Sequence, residues 1–388
     1  MNWIDVISAG PGAADMLTAQ AVRAIRDAEA VFCAQRNSGL VPADKRRSLT
    51  PFEDAMQAME GMAHPAVLVS GDAGLYSMLG LLARRFGRER LRVVPGVSSL
   101  QAFCARLSLP WQDAKILSAH GRDCAPEALC HYARTCPAVL LLLDGEHDPR
   151  WVRKALDAGG LDHLPLTVGE RISLSDERVA PFADRPYDPL SVALITNAHP
   201  ASGLPAVGLP DGAFIRGKTP MTKREIRVQV LAALQLPLDA VVWDVGAGTG
   251  SVSVECARQC PLGEVYAIER DADALALIKQ NQAHFHLQNL RVVEGEAPDA
   301  LSELPAPTHV FLGGTGKRAG EILARIPPGA RICATAVTLE SVQELAALLP
   351  DFEAAQIAVS RLERVGGYRM FRAQNPVFVF SAVKGETP

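Results

Sequence analysis

The chain has 388 residues, 48% apolar and 21% charged, with a formal net charge of −4. That length suggests two or three globular domains, and the charge supplies no overall field that would draw nucleic acid. No apolar run approaches the roughly 18 residues a membrane span needs, and the strand-like, acidic start lacks the regions of a signal peptide, so a cytoplasmic protein without a membrane partner is expected. None of the eight cysteines forms C-x-x-C, and Cys124, Cys130 and Cys136 are wrongly spaced for zinc. Reduced thiols and no metal are the expectation.

In chain order, a strand over 2–9 leads into Ala9-Gly10-Pro11-Gly12. A helix follows with Leu17, Ala21, Ala24, Ile25 and Ala28 on one face. After a short strand (30–34) and a polar connection comes a helix over 51–62, whose Met56, Met59 and Met62 read as core. A buried strand over 66–70 ends in Gly71-Asp72-Ala73-Gly74-Leu75-Tyr76. The strand over 91–94 ends in Pro95-Gly96-Val97-Ser98-Ser99, where Ser98 or Ser99 can cap the next helix. This alternation of strands and helices predicts a parallel sheet, and further strands follow near 115–118, 138–143, 166–170 and 192–196. His120-Gly121-Arg122 is open to two readings, a solvated strand end or a cleft wall.

Residues 197–209 are rich in Ala, Pro and Gly and read as a linker, with a second domain from about 210. An amphipathic helix is expected over 222–236, with Thr222 and Glu225 as a capping box. An apolar run then reaches Asp244, and glycines follow at 246, 248 and 250. Strand, glycine turn and helix form a nucleotide-site architecture. The dinucleotide pattern G-x-G-x-x-G fails, because Ser251 stands at its sixth position. An acid, Glu269, ends the next apolar run and is available for ribose hydroxyls. Further units follow, with Gly295-Glu296-Ala297, a helix over 298–304, Gly313-Gly314-Thr315-Gly316-Lys317, and a closing hairpin from strands near 355–361 and 376–383. Glu255 could meet substrate or be a surface acid.

Three strand-end loops in this order resemble the tetrapyrrole (precorrin) methyltransferase family, on Gly10, Pro11, Gly12, Gly71, Asp72, Gly74, Tyr76, Pro95, Gly96, Ser98 and Ser99. Asp244 with Gly246, Ala247, Gly248, Thr249 and Gly250 looks like motif I of the S-adenosylmethionine methyltransferases. Together with 220–225, Glu269, 295–300 and 313–316, it resembles the decarboxylating precorrin-6B methyltransferases. In this order the halves are similar to the fused, decarboxylating precorrin-6Y methyltransferase family. The resemblance implies an α/β chain. Its first domain (1–200) would be a two-lobed tetrapyrrole methylase fold split near 112, followed by a linker (201–209). The last (210–388) would be a Rossmann-like, seven-strand methyltransferase fold. It implies two S-adenosylmethionine sites, a tetrapyrrole substrate, a homo-oligomer, and methylation at carbons 5 and 15 with loss of the ring C acetate carboxyl, giving precorrin-8x in cobalamin biosynthesis.

The cofactor contacts it implies are Gly10, Pro11, Gly71, Asp72, Gly74, Tyr76, Ser98, Ser99 and Thr196 in the first half. In the second they are Thr222, Gly246 to Gly250, Glu269 and Ala297. A polycarboxylate substrate calls for cations, and Lys218, Lys317 and Arg369 are the candidates for positioning it. Whether the macrocycle carries cobalt stays open. Methylation of RNA or protein is the competing enzyme reading, and it lacks an Asn-Pro-Pro-Tyr motif at 313–315. A non-catalytic ligand-binding regulator is the other.

Overall fold

Short Val-, Ile-, Leu- and Ala-rich runs, buried on both faces, suit parallel strands whose crossovers lay helices over both sides. The computed structural model describes residues 3–121, 124–202, 206–349 and 351–385; Met1, Asn2, Arg122 and linker positions 203–205 lie outside the described residues. Two compact units result, one of residues 1–125, 132–157 and 161–201, the other of 126–131, 158–160 and 202–388. No helix among the described residues is long and apolar enough to cross a membrane.

In the first unit, β1 (Ile4–Ser8), β2 (Ala30–Cys33), β3 (Arg46–Ser48), β4 (Pro65–Val69) and β5 (Leu91–Val94) form an all-parallel sheet ordered β3-β2-β4-β1-β5. Alternate side chains feed two cores. Val6, Phe32, Val67 and Met59 pack on one face, and Ile7, Val31, Leu68 and Ala21 on the other. Ser98 caps the helix Ser99–Arg106, and Gln101 completes a capping box.

A second sheet takes β6 (Lys115–Ser118), β7 (Ala138–Leu142), β8 (Leu166–Glu170), β9 (Arg178–Pro181) and β10 (Ser191–Thr196), ordered β6-β7-β10-β8-β9. The parallel pairing expected from the first strands does not extend to this sheet. β6 and β7 are parallel, whereas β7–β10, β10–β8 and β8–β9 are antiparallel. The physical reason is the connection. No helix lies between β8 and β10, and short connections of that kind reverse the chain instead of crossing over.

The second unit holds β11 (Val241–Val245), β12 (Glu264–Glu269), β13 (Leu290–Glu294), β14 (His309–Leu312), β15 (Arg331–Ala336), β16 (Glu353–Ile357), β17 (Ser360–Val365), β18 (Tyr368–Ala373) and β19 (Val377–Val383). Seven of them form a sheet ordered β13-β12-β11-β14-β15-β19-β16, antiparallel only where β19 meets β15 and β16. Val242, Val265 and Ala267 face one core; Trp243, Tyr266 and Ile268 face the other. The expected closing pair is β16 and β19, but β17 and β18 intervene as a separate two-stranded ribbon. The helix expected over 298–304 is a 3-10 turn, Asp299–Leu301, because Pro298 and Pro305 bracket too short a stretch.

The capping box at Thr222 is also corrected. The helix is Arg224–Leu234, its N-cap is Lys223, and no side chain caps it. Arg224 N–H donates instead to Asp211 Oδ1 at 3.0 Å, and Glu225 is held by Arg361. The adjoining Arg227 is fully buried. Its Nε donates to Glu255 Oε1 at 2.7 Å, and Nη1 donates to Asp211 Oδ1 at 2.9 Å and to the Thr222 carbonyl at 2.6 Å. Glu255, also buried, accepts from the backbone N–H of Gly208 (2.6 Å) and Leu209 (3.2 Å). So Glu255 is not a surface acid but a buried one that binds Arg227 and the backbone of 208–209.

Removing one member of a buried pair leaves the other charge uncompensated, at a cost of about 3–5 kcal/mol. Glu255→Ala should therefore lower the unfolding free energy of the second unit, read from urea titration, by up to that order, since Asp211 still pairs with Arg227. A midpoint matching wild type would show that the pair does not stabilise this unit.

Candidate functional site

In the first unit the parallel sheet delivers its strand ends to one edge. Gly10 and Gly71 follow the adjacent strands β1 and β4, and their backbones bond reciprocally: Gly71 N–H to Gly10 O at 2.8 Å, Gly10 N–H to Gly71 O at 3.2 Å. Asp72 braces two loops. Its Oδ1 accepts from Gly74 N–H at 2.8 Å and its Oδ2 from Gly96 N–H at 3.0 Å. A side chain at 96 would strike Ser8, since a Cβ there would lie 2.5 Å from Ser8 Cβ. Tyr76 donates its hydroxyl to the Ile116 carbonyl at 3.1 Å.

These loops and the second sheet line a cavity of about 400 Å³. Of the residues expected from sequence, Gly10, Pro11, Gly71, Asp72, Tyr76, Ser98 and Ser99 are on its wall. Gly74 lines a neighbouring cavity beside Leu79 and Val93 instead. Thr196 is not brought in. It pairs with Ala138, whereas the cavity meets β10 at its other end, Ser191 and Val192. Because β10 runs antiparallel to β7, its carboxyl end points away. His120 is on the wall, with Nδ1 3.3 Å from the Leu143 carbonyl oxygen, and its side chain is also exposed to solvent. Sequence reasoning missed Arg36 and Asn37, which follow the carboxyl end of β2. That position was their available signal.

In the second unit two glycine loops meet backbone to backbone. Gly313 and Gly314 N–H both donate to Val245 O, at 3.0 and 3.2 Å. Gly246 has φ +74°, and a Cβ on it would lie 2.6 Å from Gly314 O. Gly250, also in the left-handed region, starts the helix Ser251–Gln259. Glu269 ends β12 and ties the first loop down: Oε2 accepts from Gly248 N–H at 2.8 Å, while Oε1 accepts from Arg270 N–H (2.8 Å) and Asp271 N–H (3.0 Å). A carboxylate has about four acceptor positions, so one stays open on Oε2. Gly295 N–H bonds the Glu269 carbonyl at 2.9 Å, which sets the buried Ala297 near this strand end. The segment before Thr222 lies over Gly248, whose Cβ would be 3.4 Å from Pro220 O. Ala247 N–H donates to Ile268 O at 3.1 Å, and the carbonyl of buried Thr249 accepts from Asn281 Nδ2 at 3.0 Å.

Beneath this loop Asp244 is fully buried, and its Oδ2 accepts from Ser253 Oγ. Asp244 Oδ1 and Thr249 Oγ1 are buried with no hydrogen-bond partner. Burial pushes the Asp244 carboxyl up to about 7, against the Ser253 hydrogen bonds, which lower it. Burial also pushes the Cys260 and Cys333 thiols up to about 12, which removes them as nucleophiles. Lys218, Lys317 and Arg369 are all exposed. Lys317 follows the second glycine loop, and Arg369 lies opposite Arg364 on the ribbon. Among the described residues no group of three or more His, Cys, Asp or Glu is arranged to hold a metal ion.

A family model for tetrapyrrole (corrin/porphyrin) methylases matches residues 4–183, and one for a precorrin methyltransferase domain matches residues 213–384. A precorrin-6Y C(5,15)-methyltransferase (decarboxylating) from Sinorhizobium sp. is 32% identical over 407 residues, covering 99% of this chain and 97% of the relative. The chain belongs to the decarboxylating precorrin-6Y methyltransferase family. A cobalt-precorrin-6B C(15)-methyltransferase (decarboxylating) from Salmonella typhimurium is 35% identical over 188 residues, 46% of this chain and 97% of the relative. A crystal structure of a precorrin-6Y C5,15-methyltransferase from Geobacter metallireducens has 35% identity and a TM-score of 0.44, covering 47% of this chain and 100% of that one.

For this member of the precorrin-6Y methyltransferase family, Asp244 sets a pH signature. Its folded pKa is raised from 3.8 to about 7. Below both values the proton is held in the folded and unfolded chain alike, and the stabilising contribution is complete. Between them the unfolded chain releases the proton first, so stability falls as pH rises, and levels off above about 7. Asp244→Asn should flatten that window in urea titrations of the second unit at several pH values. An unchanged slope would contradict a buried, proton-holding Asp244.

Proposed function

We propose that this chain methylates a precorrin macrocycle at carbons 5 and 15 and removes the ring C acetate carboxyl, using one methyl-donor site in each half. We assign residues 1–200 to a two-lobed tetrapyrrole methylase domain with lobes meeting near 112, 201–209 to a linker, and 210–388 to a Rossmann-like, seven-strand methyltransferase domain. One observation carries the reading: each unit has its own parallel sheet, and each sheet gathers glycine loops at its carboxyl edge.

The residues fit S-adenosylmethionine. The first cavity, at about 400 Å³, falls within the roughly 300–1,000 Å³ usual for small-molecule sites. In the second unit, the two orphaned buried atoms, Asp244 Oδ1 and Thr249 Oγ1, suit a polar ligand. When bound, S-adenosylmethionine supplies an electrophilic methyl group. Gly10, Pro11, Gly71, Asp72, Tyr76, Ser98 and Ser99 would hold it in the first domain. Thr222, Gly246 to Gly250, Glu269 and Ala297 would hold it in the second, with Glu269 Oε2 accepting from a ribose hydroxyl. Lys218, Lys317 and Arg369 would pair with substrate carboxylates. No side chain need act as a strong base, because a reduced macrocycle is itself nucleophilic at its meso carbons. The protein's work is to hold the partners in line and exclude water. The same reading makes the enzyme a cytoplasmic homo-oligomer.

In the full chain, Glu269→Ala should leave one methyl transfer intact while abolishing the second methylation and carbon dioxide release, read by mass spectrometry of the products. Loss of both methylations contradicts two independent sites, and survival of both contradicts the ribose role of Glu269.

A further inference from the structure

Among the described residues, four acidic or basic side chains are on the first unit's cavity wall. They are Arg36, Asp72, His120 and Arg171. Both Asp72 oxygens accept backbone N–H groups. Arg171 is paired with Asp176 and Asp188. His120 faces the Leu143 carbonyl. Arg36 differs. Its Nε donates to Ser70 Oγ at 2.8 Å, and the adjacent, buried Asn37 donates Nδ2 to the same oxygen at 3.0 Å. That fixes the guanidinium plane at the carboxyl end of β4. Among the described residues, neither terminal nitrogen meets a carboxylate or carbonyl. The side chain is open to solvent, yet enough protein surrounds it that burial lowers its pKa.

We propose that Arg36 is a carboxylate-binding residue of this cavity, its two free nitrogens forming a bidentate pair with a ligand carboxylate. The proposal rests on the methyltransferase reading above. The geometry favours a planar anion. Guanidinium is always charged, presents a rigid fork, and here is held by one edge with the other edge free. Two ligands carry that group. One is the methyl donor, through its amino-acid carboxylate. The other is the macrocycle, through an acetate or propionate arm.

The test uses the full chain with Arg36→Gln and Arg36→Lys. Binding of S-adenosylmethionine alone is measured by calorimetry, and KM for the reduced macrocycle at saturating donor by product mass. A charge-assisted pair contributes about 1.5–3 kcal/mol, which is about a ten- to hundredfold effect. If the donor is the ligand, Arg36→Gln weakens one donor site by that factor. If the macrocycle is, donor binding holds and KM rises by that factor. In both cases Arg36→Lys recovers part of the loss. Unchanged donor binding and KM in Arg36→Gln, with wild type transferring both methyl groups, overturns the proposal. So does a loss accompanied by a fall in melting temperature in both variants, which would make Arg36 a brace for Ser70. Failure of the wild-type chain to bind donor overturns the functional reading itself, and it appears before any variant is compared.

Discussion

Parallel pairing forces the carboxyl ends of neighbouring strands onto one edge of a sheet, and both candidate sites follow from that constraint. Once β1 and β4 are neighbours, the loops carrying Gly10 and Gly71 must meet, and they meet closely enough for reciprocal backbone bonds. Once β11 and β14 are neighbours, Gly246 and Gly314 must approach within a distance that excludes a Cβ. Gly246 is therefore required first by the packing of loop on loop, whereas Gly10 and Gly71 answer to their positive φ. Any ligand uses a surface that this packing has already shaped.

Charge is divided between structure and solvent. Asp72, Arg171, Arg227, Glu255 and Glu269 look like site residues by type, but their hydrogen-bonding capacity is largely taken up inside the protein. Such interactions matter because a buried charge left unpaired costs several kcal/mol, whereas an exposed pair contributes about 1 kcal/mol or less. What is left to meet a polyanionic ligand is the set of cations the fold does not neutralise internally. An overall charge of −4 hides that set.

The sequence was most legible where one local pattern had one physical outcome. Apolar strand runs alternating with helices, the helix cap at Ser98 and the strand-end glycines all lie where residue type and spacing place them. It was least legible where a distant partner decided. Thr222 and Glu225 have the spacing of a capping box, but Asp211 accepts from Arg224 N–H, and Arg361, far away in sequence, holds Glu225. Thr196 ends a strand, but nothing local tells that β10 runs against β7. Arg36 sits in a polar connection without periodicity, and only the fold brings it to Ser70. The ribbon of β17 and β18 exposes Leu362, Tyr368 and Phe371, so its apolar residues marked no core.

The grip of Glu255 on the backbone of Gly208 and Leu209 has a consequence for how the chain can be cut. By composition the join ends near Pro210, and these two residues look dispensable. Thermodynamically they belong to the second unit, because their N–H groups complete the shell of a buried carboxylate. A polypeptide started at Pro210 would begin life with a buried acid short of two donors.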